Sequence, residues 1–152
     1  MEPSLFDDVA DALRGMMPPD LGPMQLRARR YGIKVWFGSE TPTREHYEAQ
    51  VIGADAVADA RVLAIEVGFH AEHPKLPANE AVLARLLERE AEWRSVVGEE
   101  PVGGPFLGRA DTWRRVSETW PDPDLADPEL ALELAARLVD YATALEPTLR
   151  GS

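Results

Sequence analysis

The chain has 152 residues, 45% hydrophobic and 28% charged, with a net charge of −11 and no cysteine. That length buries a self-sufficient core in one domain; the missing cysteine removes disulfides, thiolate nucleophiles, cysteine zinc sites and iron–sulfur ligation; and the acidity argues against an extended phosphate backbone as partner. No run approaches the roughly 20 apolar residues of a membrane span, and "MEPSLFDDVADAL" lacks the basic start and apolar core of a signal peptide, so a soluble, cytoplasmic protein with no membrane partner is expected.

The first element is a helix, with Ser4 as cap, Asp7 and Asp8 at its positive end, and Leu5, Phe6, Val9, Leu13 and Met16 along one side. "GMMPPDLGP" ends it. From Gln25 the period changes to two, giving a strand in which Ile33, Val35 and Phe37 alternate with Lys34 and Trp36; after the turn residues "GSETPT", "REHYEAQVIG" is a second strand pairing with it. "RVLAIEVGFHAEH" is the third, with Leu63, Ile65, Val67 and Phe69 on one face and Val62, Ala64, Glu66, Gly68 and His70 on the other. A second helix starts at Asn79 as cap and buries Val82, Leu83, Leu86, Leu87, Trp93 and Val97. "PFLGRADTWRRVSETWP" reads as a hairpin turning near Arg109 to Asp111, and a last helix begins after Asp127–Pro128, buries Leu130, Leu134, Leu138, Tyr141 and Leu145, and stops at Pro147. The order α-βββ-α-ββ-α predicts a single α+β domain over 1–152: an antiparallel sheet of about five strands with three helices on one face.

Charge is unevenly placed. Between Glu118 and Glu146 eight acids face one cation, Arg137, whereas "QLRARRYGIK" carries Arg27, Arg29, Arg30 and Lys34 without an acid. Such polarity can steer a charged partner.

The chemistry with most to offer lies on the second and third strands. If Tyr47, Ala49 and Val51 point into the core, His46, Glu48 and Gln50 share the opposite face with Lys34, Trp36, Glu66 and His70, and His73 lies just beyond. Two histidines and two carboxylates on neighbouring strands suit zinc, manganese or non-haem iron, or an acid and a base, so His46, Glu48, Glu66 and His70 form a candidate metal site for a metal-dependent hydrolase. The plainer expectation is that this alternation is the solvated face of an antiparallel sheet, chemically idle. "HAEH" lacks the helical spacing of a metalloprotease motif, "IEVGFH" lacks the lysine that follows a nuclease carboxylate, no serine sits in G-x-S-x-G, and neither glycine-containing turn has a phosphate-loop lysine. Of the four tryptophans, Trp93 fits a helix core, whereas Trp36, Trp113 and Trp120 are candidate protein-binding anchors.

Taken together, the "LFDDVADAL" helix, the middle helix "NEAVLARLLEREAEW", the glycine-led "GGPFLGRADTWRRVSETWPD" and the final "LADPELALELAARLVDYATAL" resemble the type III secretion chaperone-like group in element order, acidity and glycine placement. The resemblance implies a non-enzymatic homodimer that binds another protein or peptide segment and needs no cofactor. A small-molecule binding domain is the third alternative.

Overall fold

The computed structural model describes residues 5–151. Helix α1 (Leu5–Met16) has Asp7 and Asp8 in its first turn and buries Phe6, Val9, Ala10 and Leu13. Strands β1 (Met24–Arg29) and β2 (Gly32–Phe37) form a hairpin, followed by β3 (Glu45–Gly53) and β4 (Leu63–Ala71). Helices α2 (Leu76–Leu87) and α3 (Glu90–Val97) then lead to the hairpin of β5 (Val102–Phe106) and β6 (Arg109–Pro121), and α4 (Leu130–Leu149) closes the chain. The strands pair in the order β1-β2-β3-β4-β6-β5, every pair antiparallel.

The fold class is as expected, with finer differences: the described residues form six strands and four helices rather than five and three. The expected strand from Gln25 to Phe37 is the β1–β2 hairpin, turning at Arg30 and Tyr31. That turn lacks the usual Asn-Gly signal; it is held instead from outside, the Val51 amide donating to the Tyr31 carbonyl at 2.8 Å. The expected middle helix is two. Its ladder breaks at Glu88 and Arg89, where the Leu86 carbonyl accepts from the Arg89 amide and from the Trp93 indole N–H at 2.7 Å, so side chain and backbone both divert an acceptor that a continuous helix would use. Asn79 is not a cap: it lies inside α2, fully buried, accepting from the His73 amide and donating to the His73 and Thr112 carbonyls. The β5–β6 turn falls at Leu107 and Gly108, where Gly108 takes φ +86, and α4 runs through Pro147 to Leu149.

Ile33, Val35, Tyr47, Ala49, Ile65, Val67, Phe69 and Val116 line the inner face of the sheet and meet the buried sides of α1 and α4. Burying such side chains is worth about 1.5–3 kcal/mol each. Among the described residues the inner face holds one buried charge, Glu118, and it is fully engaged. Its Oε1 accepts from the Tyr141 hydroxyl at 2.6 Å and Arg137 Nε at 2.8 Å, and its Oε2 from the Trp120 indole at 2.9 Å. Arg137 also donates to the Val97 carbonyl. The one cation of the acidic C-terminal stretch thus ties α4 to β6 and to the end of α3. No helix among the described residues is long and apolar enough to cross a membrane.

Candidate metal centre

The register of β3 on β4 sets His46 opposite His70, Glu48 opposite Gly68 and Gln50 opposite Glu66, all on the face away from the helices. Each strand carries the same tripeptide pattern, His-x-Glu, as His46-Tyr47-Glu48 and His70-Ala71-Glu72. Antiparallel pairing of the two histidines sends the glutamates past them in opposite directions along the strands. One carboxylate therefore approaches the imidazole pair from each end. Glu72 lies one residue beyond β4, but its amide donates to the Arg44 carbonyl at 2.8 Å and so prolongs the ladder.

The donors converge. His46 Nε2 lies 3.0 Å from Glu48 Oε1 and 3.4 Å from Glu72 Oε2, and His70 Nδ1 lies 3.3 Å and 3.2 Å from the same two oxygens. One ligand atom from each of the four residues lies within 4.8 Å of all the others. A tetrahedral zinc with bonds of about 2.0–2.2 Å separates neighbouring donors by about 3.3–3.6 Å, close to the four nitrogen–oxygen separations here.

Both rings are held from behind. His46 Nδ1 lies 2.9 Å from the Thr43 carbonyl, which can only accept, so the proton sits on Nδ1 and Nε2 faces the carboxylates. His70 Nε2 lies 2.7 Å from Glu66 Oε2, which directs Nδ1 inward in the same way. Glu66 is held in turn by Gln50 Nε2 at 2.8 Å and by Ser117. Gly68 lets β6 approach β4 closely: at φ +153, a Cβ there would lie 2.4 Å from the Val116 carbonyl oxygen and 2.6 Å from Ser117 Cα.

The expected solvation of this face is corrected by the burial of its histidines. His46 and His70 are buried, as is Glu66, and Phe106 at the end of β5 packs on His70. Phe106 meets His70 edge to face at 4.6 Å, and Trp113 backs Phe106 at 5.3 Å. Glu48 and Glu72 keep 12% side-chain exposure each, so the centre opens only on its carboxylate side.

Burial alone would lower the basicity of both histidines, but Glu48 and Glu72 outweigh it at His46, and Glu66 with Glu48 and Glu72 outweighs it more strongly at His70, raising both. Burial alone would raise the carboxyls; the two histidines reverse this, bringing Glu48 down to about 2 and lowering Glu72. Each approach of an imidazole nitrogen to two carboxylate oxygens needs positive charge between them. Two ring protons supply it, or one dication, at equal net charge.

Three of the four residues expected at the candidate site, His46, Glu48 and His70, come together here. Glu66 holds His70 from outside, and its expected place is taken by Glu72, which the His-x-Glu repeat could have revealed. His73 turns away and lies 2.8 Å from Glu45 Oε2. Trp36 is buried with its indole N–H on the Ser39 carbonyl, Trp120 donates to Glu118, and Trp113 lies between Phe106 and the Arg109 guanidinium. In comparisons with known proteins, no family model matches the chain, and neither a curated protein nor a solved structure matches it.

Proposed function

We propose that this protein binds one divalent transition-metal ion, zinc in preference, through His46 Nε2, Glu48, His70 Nδ1 and Glu72. The observation that carries the reading is the convergence of four donors from two strands with both imidazoles oriented from behind, since outer contacts that fix tautomer and ring angle are the usual companions of metal ligation. Four protein donors favour a holding role over hydrolysis, because catalytic zinc keeps one position for water. The ion would clamp β3 to β4. Glu66 is a positioning residue that acts through His70.

Elemental analysis of protein purified from zinc-supplemented culture is expected to give about one zinc per chain. His46→Ala with His70→Ala should abolish uptake, and Glu66→Gln should weaken affinity by about 10–100-fold. A wild-type protein that carries no metal and gives no heat with zinc in titration calorimetry would end the proposal.

A further inference from the structure

Beside the metal centre, on the same sheet face, lies a concavity of about 340 Å³ formed by the β1–β2 hairpin and β3. Gly32, the register partner of Arg29, lines it where β2 and β3 come close: a Cβ there would lie 3.1 Å from the Ala49 carbonyl oxygen and 3.2 Å from Gln50 Cβ. Around it stand Arg27, Arg29, Arg30 and Lys34; its one lining carboxylate, Glu48, is engaged by two imidazoles, and Lys34 Nζ lies 4.0 Å from Glu72 Oε1. Arg27, Arg29 and Arg30 have no carboxylate at salt-bridge distance among the described residues, as is also true of Arg44, Arg61, Arg85, Arg109 and Arg115, but these three gather with Lys34 at one hollow. In a chain of net charge −11, unneutralised arginines gathered at a cavity are not explained by solubility. Edge strands are often blunted by charge, and Arg27 and Arg29 on the edge strand β1 are exposed in that way; what sets them apart is that they line one hollow together with Arg30 and Lys34.

We propose that this hollow binds a phosphorylated small molecule bearing a planar ring, of the nucleoside monophosphate class. Guanidinium forks pair with phosphate oxygens in bidentate fashion, and Arg27, Arg29 and Lys34 present cations from adjacent strands: Arg27 is the register partner of Lys34. The ring has a platform in Tyr31, 61% exposed at the rim with the Arg30 guanidinium 5.2 Å from its centroid. The volume falls at the lower end of small-ligand pockets, about 300–1,000 Å³, which suits one nucleotide rather than a strand. This proposal goes beyond the metal reading and does not require the ion.

Titration calorimetry on the full chain, both zinc-loaded and treated with a chelator, tests it with adenosine monophosphate, adenosine, inorganic phosphate and a short single-stranded oligonucleotide. Adenosine monophosphate is expected to bind at least about tenfold more tightly than adenosine, with affinity falling as salt rises. Arg27→Gln with Arg29→Gln should weaken it at least about tenfold while circular dichroism and the melting point stay as in the wild type; Arg30→Gln, in the turn, is the second variant should that pair fold poorly. Tyr31→Ala should reduce adenosine monophosphate to the affinity of inorganic phosphate. Equal binding by wild type and arginine variants, or no heat with either phosphate compound, overturns the proposal. Tighter binding of the oligonucleotide overturns the small-ligand assignment, and binding seen only with zinc assigns the phosphate to the ion instead.

Discussion

At the level of single residues, chemistry was legible where the strand period of two was legible. His46, Glu48 and His70 could be placed on one face from alternation alone, but Glu72 lies past the last residue of a recognisable strand, and its role depends on a register that hydrophobic pattern does not specify. Burial of His70 was equally hidden, because Phe106 reaches it from a hairpin more than thirty residues away in sequence. Tyr47 is a second case. Its ring belongs to the inner face as expected, between Phe37 and Phe69, yet its hydroxyl is buried with no hydrogen-bond partner among the described residues. A buried hydroxyl without a partner costs about 1–3 kcal/mol, so Tyr47→Phe is expected to leave stability unchanged or raise it by up to that amount in urea unfolding. A loss above about 1 kcal/mol would mean that the hydroxyl has a partner.

At the level of elements, helix and strand identity followed from pattern, and two of the misplaced boundaries, the Arg30–Tyr31 turn and the α2–α3 break, lack glycine or proline at the break. The Arg30–Tyr31 turn and the α2–α3 break are both fixed by groups distant in sequence or by a side chain, Val51 in one case and Trp93 in the other. The junction of β6 with β4 works the same way. Asp122 is the one non-glycine residue with positive φ among those described, +47, a region that aspartate tolerates. Its carboxylate accepts from the amides of Arg61 at 2.8 Å and Val62 at 2.7 Å, with Leu63 more distant, which closes the loop before β4. Hydrogen bonds from Val62 and then Arg61 hold its carboxyl below the ordinary aspartate value. A carboxyl depressed in the folded state supports the fold above its unfolded pKa, and that support is lost as pH falls through the folded value. The Arg61 and Val62 amide protons are therefore expected to shift together in NMR spectra with a midpoint below about 3.9, and Asp122→Asn should remove the transition. A midpoint at the ordinary value would show that the loop is closed by something else.

At the level of the whole molecule, hairpin-sized grouping of strands and amphipathic helices identified an antiparallel sheet covered on one face, which is why the architecture could be read before its details. The function class could not, since a polar sheet face and a metal centre use the same residues at the same spacing and differ only in convergence. The difference has a measurable consequence. β3 and β4 are the two middle strands of six, joined by the Glu45–Ala71 to Gly53–Leu63 ladder, so they separate only when the sheet does. An ion clamped between them stabilises the whole fold by mass action: with free zinc at a thousandfold excess over its dissociation constant the gain is about 4 kcal/mol. For a chain of this size each kcal/mol moves the melting midpoint by about 2–4 °C, giving a rise on the order of 10 °C that a chelator should reverse. Amide exchange should slow most along β3 and β4, because opening there must first release the ion. The His46→Ala, His70→Ala protein has its own, altered midpoint, and the decisive quantity is whether zinc moves it. A midpoint insensitive to zinc in the wild type would leave the imidazoles and carboxylates as a buried ion-pair network, held by protons alone.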